Sequence, residues 1–299
     1  MIVVSSATSN TGAAVAEALL AAGAEIRVLG RSRDRLHRFA DRGAEAVEVR
    51  TDDPGSLRAA FAGAHAAFVM IAPGLIPGST DFPAHQRRVI DTHRKALSGL
   101  GGLERIVSLS GWAANHAGAR GPVWGLRPLE EALDTLTGVK SVHLRPGWFM
   151  ENAVPMIDEV RATGVAHGLI PADLPLPAIA TADIGVVAAC LLTGRRTAAT
   201  RTLELHGPRD ITLAEITAAI GDAVGRPGAR YEQIDAATLR AGLLEAGFSA
   251  HMADGVTAMT SDVAERRIAM TRPRAAETAT PTTFEQFLAN AIHRGHGKS

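Results

Sequence analysis

Short apolar runs alternate with amphipathic stretches along the first half of the chain. Ile2, Val3 and Val4 form a run long enough for a buried strand and too short for a helix. A loop of small residues runs from Ser5 to Thr11. Gly12 then opens an alanine- and leucine-rich stretch to Ala22, with Val15, Ala18, Leu19 and Ala22 at helical spacing. Gly23 ends that helix. EIRVLG, AEAVEV, AHAAFVMIA, LERIVSLS and VKSVHL read as the next five strands. Between them, four stretches read as helices: Arg31 to Asp41, the Pro54-initiated stretch with Leu57, Ala60 and Phe61 on one face, Asp81 to Leu97, and Pro122 to Leu136. PGLIPGST and GWAANHAGARGP read as loops from their glycine and proline content. The alternation predicts an α/β fold, a doubly wound, mostly parallel sheet with right-handed crossovers.

Past Arg145 the rhythm breaks. Residues from Pro146 to about Ala180 are rich in Pro and Gly. A helix is expected from Ala182 to Leu192, and RTLELHGP reads as a strand returning to the sheet. Thr212 and Glu215 form a capping box, ARYEQI reads as a strand, and Asp235 caps the helix that follows. Thr282 and Glu285 are expected to cap a last helix, FEQFLANAI, before a disordered HRGHGKS tail. The division predicted is residues 1–150 as one α/β domain, rejoined by a strand near 201–206, and 151–299 as mostly a smaller subdomain.

Composition narrows the class. The 299 residues carry 31 basic and 31 acidic side chains, so no net charge marks the chain for nucleic acid. The one cysteine, Cys190, lies in an apolar stretch and reads as a buried small hydrophobe. No signal peptide or membrane-spanning run is visible, and a cytoplasmic protein with a small-molecule partner is expected. A homodimer is compatible with the sequence, which does not set the oligomeric state.

Strand, tight loop and helix open a dinucleotide-binding βαβ unit. Its glycine fingerprint lets backbone amides at the helix N-terminus approach a pyrophosphate. Here the three positions read Ser6, Ser9 and Gly12. Serine adopts a positive φ less readily than glycine. Thr8, Asn10 and Thr11 complete the candidate cradle. About 20 residues on, where an acid would grip an NAD ribose, stand Arg31 and Arg33, suited to a 2′-phosphate. A bound dinucleotide should therefore be NADP(H), held weakly or lost to the serines.

By the sixth strand the chain resembles the NmrA-like family of atypical short-chain dehydrogenase/reductases. LRPGWFMEN (Leu144 to Asn152) carries the resemblance most specifically; DDPGSLRAAF, SLSGWAA, GLRPLEEAL and PTTFEQF also match. The resemblance implies an NADP-preferring Rossmann domain and a small substrate subdomain. It implies reductases of quinones, dyes and plant phenolics, or redox-sensing regulators that bind the cofactor without chemistry. Ser6 and Ser9 depart from the family's glycines. Arg50 stands where an acid commonly holds adenine, and Arg127 where histidine is frequent.

The short-chain dehydrogenase acid, a tyrosine with a lysine four residues on, is missing. Tyr231 is the only tyrosine, and the lysines are Lys95, Lys140 and Lys298. Trp112, Trp124 and Trp148, the only tryptophans, fall just past strands five and six, where ligands gather at the carboxyl rim of an open sheet. With Phe149 and Asn152 they suit a flat apolar or aromatic ligand. Asn115 and His116 follow strand five; Asn115 is a candidate substrate contact and His116 the candidate proton donor. Ser110 is placed to hydrogen-bond a substrate carbonyl. Glu151 and Asn152 either orient the cofactor amide or tie the subdomain down. His85 and His93 are expected to face water. No spacing suggests a metal site.

Three readings stay open: an NADPH-dependent reductase of a flat aromatic molecule, an NADP(H)-sensing regulator, and a cofactor-independent cyclase or isomerase of a polycyclic metabolite on a decayed dinucleotide site.

Overall fold

A computed structural model of the chain describes residues 1–71 and 76–296. Part of the expected loop PGLIPGST (residues 73–75) and the last three residues of the tail lie outside the described residues.

The alternating pattern forms a Rossmann-like layer. In chain order come β1 (Ile2–Val4), α1 (Asn10–Ala21), β2 (Ile26–Gly30), α2 (Arg33–Ala40), β3 (Glu45–Glu48), α3 (Pro54–Phe61), β4 (Ala66–Val69), α4 (Phe82–Leu97), β5 (Arg105–Leu109), α5 (Leu126–Asp134) and β6 (Lys140–Pro146). The later elements are β7 (Trp148–Phe149), α6 (Val154–Thr163), β8 (Val165–Gly168), β9 (Ala178–Ile179), α7 (Thr181–Leu192), β10 (Thr202–Leu205), α8 (Leu213–Ala223), β11 (Arg230–Gln233), α9 (Ala236–Glu245), α10 (Ala250–Ala264) and α11 (Phe284–His296). Seven strands pair in the order β10-β6-β5-β4-β1-β2-β3, all parallel. Every carboxyl end therefore reaches one rim. From β1 the chain winds out to β2 and β3, then crosses back to β4 on the other side of β1, which puts a topological switch point between β1 and β4 at that rim.

Both faces of the sheet are covered, and its central strands β1 and β4 are wholly apolar and buried, whereas the edge strand β3 keeps exposed glutamates. Val4, Val28, Phe68 and Leu144 pack one face beneath α1 and α7. Val3, Leu29, Val69 and Ile106 pack the other beneath α3, α4 and α5. A second core, around Met150, Ile157, Ile216 and Phe284, holds the later elements together. β8 and β11 form a separate parallel pair. β10 returns to the large sheet at the expected place, and α7 also packs on that sheet, where Ile184, Ala188 and Leu192 fill its core.

Other local expectations shift for physical reasons. The single helix expected over 122–136 is interrupted, with a 3-10 turn at Gly121–Val123 and α5 starting only at Leu126. Thr282 does not cap α11. Its amide and hydroxyl both donate to Asp183, at 3.0 and 2.7 Å, and Thr283 with Gln286 forms the cap instead. Residues 293–296 extend α11. α10, capped by Ser249, carries no clear sequence signal because threonines and Gly255 dilute its periodicity. Cys190 is half-buried. Among the described residues no helix is long and apolar enough to cross a membrane.

Candidate functional site

The loop after β1 is folded by its serines. Ser6 takes a left-handed φ of 53°, a conformation in which glycine is free of the usual Cβ clash. Ser9 is the N-cap of α1: its hydroxyl accepts the Gly12 amide at 3.1 Å and donates to the Ser6 carbonyl at 2.8 Å. A Cβ at Gly12 would fall 2.2 Å from that carbonyl, so the third position admits only glycine. Ser6, Thr8, Ser9, Asn10 and Thr11 all line a cleft at the N-terminus of α1. The first turn carries no acidic side chain, leaving the helix end favourable to an anion.

The cleft encloses about 990 Å³. Arg31, leaving β2, borders its outer end together with Arg35, whose guanidinium donates to the Thr8 carbonyl at 3.5 Å. Arg33 does not line it, a correction with a helical cause: Arg33 and Arg35 are both in α2, two residues apart, and so point to opposite sides of the helix. Arg50 is turned outward, 3.6 Å from Asp52, while Val49, Thr51 and Leu57 form the wall there.

From this end the cleft runs along the rim to an apolar chamber. Trp112, Trp148, Phe149 and Asn152 line it, as sequence spacing suggested. Beyond them stand Met156, Ile170, Met259 and Tyr231. Ser110, at the end of β5, is 3% exposed and its hydroxyl has no hydrogen-bond partner among the described residues. Glu151 accepts the Thr181 amide and hydroxyl through Oε1, at 3.0 and 2.6 Å, and its Oε2 is buried without a partner.

Three candidates lie elsewhere. Trp124 borders a separate cavity of about 120 Å³ on the outer side of α5, with the Arg87 guanidinium 4.9 Å from its ring centroid. His116 borders the same cavity, and its Nε2 is 3.8 Å from the Asp262 carboxylate. Asn115 is absorbed into a framework network. It accepts from Arg145 at 2.6 Å and donates to Glu204 at 2.9 Å, while Arg145 makes a two-pronged pair with Glu130 at 2.8 and 2.5 Å. The 3-10 turn at Trp112–Asn115 separates these side chains: Trp112 and Ala113 line the cleft, and Asn115 does not.

Two further residues line the cleft from α4, Gln86 and His93, and neither was a candidate for the site in the sequence. Gln86 and His93 sit two turns apart on the buried face of α4, both at most 4% exposed. The expectation that His93 faces water fails; His85 is half-buried, stacked near Phe82 with centroids 6.0 Å apart. Burial pushes the His93 pKa down, against the upward pull of the Val89 carbonyl that Nδ1 meets at 2.9 Å. The available signal was a polar residue at each of two core-facing positions of an amphipathic helix. Tyr231 donates to the Ile170 carbonyl at 2.9 Å, and burial, then the nearby Glu159, raises its pKa. Among the described residues no cluster of three or more His, Cys, Asp or Glu could hold a metal ion.

Comparison with known proteins agrees with this geometry. Residues 1–96 match the model of the NmrA-like family. An NADPH-dependent quinone oxidoreductase from Escherichia coli, solved in complex with NADPH, superposes with a TM-score of 0.75 at 20% identity, covering 98% of this chain and 100% of that one. The triphenylmethane reductase of Citrobacter sp., complexed with NADP(H), superposes at 0.76 with 18% identity over 97% and 100%. A nucleoside-diphosphate-sugar epimerase from Staphylococcus aureus superposes at 0.73 with 16% identity over 96% and 99%. The chain thus takes the Rossmann-like fold that these proteins share, and its similarity to the NmrA-like family model lies in residues 1–96.

Proposed function

We propose that the protein is an NADPH-dependent reductase of a flat, apolar aromatic molecule such as a quinone, enone or dye. One observation carries the reading: a single cleft joins the N-terminus of α1 and its two arginines to a tryptophan-walled chamber. The residues present fit NADP(H). The α1 amides suit the pyrophosphate, and Arg31 and Arg35, neither in an ion pair among the described residues, suit a 2′-phosphate. The similar oxidoreductase and triphenylmethane reductase were solved with NADPH and NADP(H), which supports the same choice.

Bound NADPH would supply a hydride. The protein's share is placement: Trp112 and Trp148 hold a planar ring and exclude water, and the unpartnered Ser110 hydroxyl donates to a substrate carbonyl. Such positioning accounts for as much as roughly 7–11 kcal/mol of a barrier. The proton that completes a hydroquinone comes from water. His116 lies outside the cleft, and Tyr231, with its raised pKa, keeps its proton.

The missing acid favours a second reading, a sensor that binds NADP(H) without turning it over. Fluorescence titration with NADPH and NADH, followed by NADPH oxidation with quinones, enones and dyes, separates them. Oxidation above background supports the reductase. Tight binding without turnover supports the sensor. No binding of either nucleotide overturns both and points to a cofactor-independent enzyme.

A further inference from the structure

The side chain of Gln86 is built into the cleft wall and half-satisfied. It projects from the second turn of α4, 3% exposed. Its Nε2 donates to the Pro122 carbonyl at 2.9 Å. That carbonyl fixes the amide's orientation, because the flipped form would set two oxygens against each other. Oε1 is left buried with no hydrogen-bond partner among the described residues, in a residue that lines the ligand cleft. An unpaired buried acceptor is costly unless a ligand donor meets it.

The surroundings hold the amide in place. A Cβ on Gly125 would lie 2.8 Å from Ile71 Cδ1 and 3.1 Å from Gln86 Cδ, so glycine at 125 leaves the room that the amide occupies. The next residue, Leu126, packs where a Cβ on Gly111 would stand, 3.2 Å away, and Gly111 follows Ser110. Gln86 and Ser110 thus belong to one stretch of wall, one offering an acceptor and the other a hydroxyl.

We infer that Gln86 is a specificity residue whose Oε1 accepts a hydrogen bond from a hydroxyl on an aromatic ligand, so that the cleft selects phenol-bearing substrates over their apolar counterparts. This rests on the chamber being the substrate site, as proposed above. A site with a buried polar group rejects the analogue that cannot pair with it far more strongly than an apolar pocket rejects an added methyl.

The test uses two near-isosteric flat enones, 4-hydroxychalcone and 4-methylchalcone, titrated into the full-length protein without nucleotide and followed by tryptophan quenching. The unaltered protein should bind the hydroxyl compound about tenfold or more tightly. Gln86→Leu should bring the ratio near one while the methyl compound binds at least as well. Gly125→Ala, which crowds the amide, should lower the ratio with Gln86 intact. Absence of binding by both chalcones, equal binding by the unaltered protein, or a Gln86→Leu variant that loses both equally overturns the inference. So does one that weakens NADPH binding and leaves the ratio unchanged, since the acceptor would then serve the cofactor. Because nucleotide is absent, a protein that never oxidises NADPH but keeps the hydroxyl preference sinks the reductase reading and leaves this inference standing.

Discussion

The Ser6 carbonyl stands 2.2 Å from the point a Cβ on residue 12 would occupy, so Ser6 and Gly12 close the loop against each other. Gly12→Ala should open that closure, lowering both the thermal midpoint and nucleotide affinity. Ser6→Gly acts in the opposite sense. It removes a left-handed strain of about 1 kcal/mol and should raise the midpoint by about 2 °C, with tighter NADPH binding. Ser9→Gly discards the helix cap for a few tenths of a kcal/mol but clears the hydroxyl from the cradle. Calorimetric melting and nucleotide titration of the three variants check the set.

Arg31 and Arg35 face the outer end of the cleft from one side of the β2–α2 turn. If they hold a 2′-phosphate, Arg31→Ala and Arg35→Ala should each weaken NADPH about tenfold or more, as expected for a charge-assisted bond worth roughly 1.5–3 kcal/mol. NADH affinity should change little. Arg33→Ala is the matched control and should leave the NADPH-to-NADH ratio where it was. Equal losses for both nucleotides would show that the arginines merely support the loop.

Glu204 couples β10 to the segment after α10. Its carboxylate accepts from Asn115 at 2.9 Å, from the Thr271 hydroxyl and amide at 2.5 and 2.8 Å, and from the Arg272 amide at 3.0 Å. Burial raises its pKa, yet these donors together outweigh burial and hold it below the usual carboxylate range. The unfolded chain therefore takes up this proton first as pH falls. The stabilisation is complete above about pH 5 and is lost progressively as pH drops through the lowered folded value. Thermal midpoints from pH 7 to pH 3.5 should decline less steeply in Glu204→Gln, which should start about 2 kcal/mol less stable at pH 7.

The alternation of apolar runs was enough to read six strands and the return of β10, because each strand buries a short run of apolar residues between helices on both faces of the sheet. The cradle was legible as well, since Gly12 and the serines are adjacent in the chain. What escaped depends on helix phase and on short turns. Arg33 and Arg35 look equivalent in sequence and differ only by which way α2 turns them. His93 reads as a solvated position, and Gln86 carries no expectation, until α4 is seen to bury the face that holds both. Asn115 and His116 follow Trp112 closely, yet Asn115 is taken up by Arg145 and Glu204 and His116 borders the separate cavity.

The tryptophans offer a sharper contrast. Trp112 and Trp148 line the cleft, whereas Trp124 lies under Arg87 beside a small separate cavity. A flat ligand in the chamber should quench the first two and leave the third. Replacing Trp112 or Trp148 with Phe should remove part of the quenching and weaken aromatic ligands by about 0.5–1.5 kcal/mol, severalfold in affinity. Trp124→Phe should keep both the affinity and the full ligand-dependent change, losing only a constant background. If Trp124→Phe instead abolishes the response, the ligand sits on the outer face of α5 and the chamber is not the substrate site.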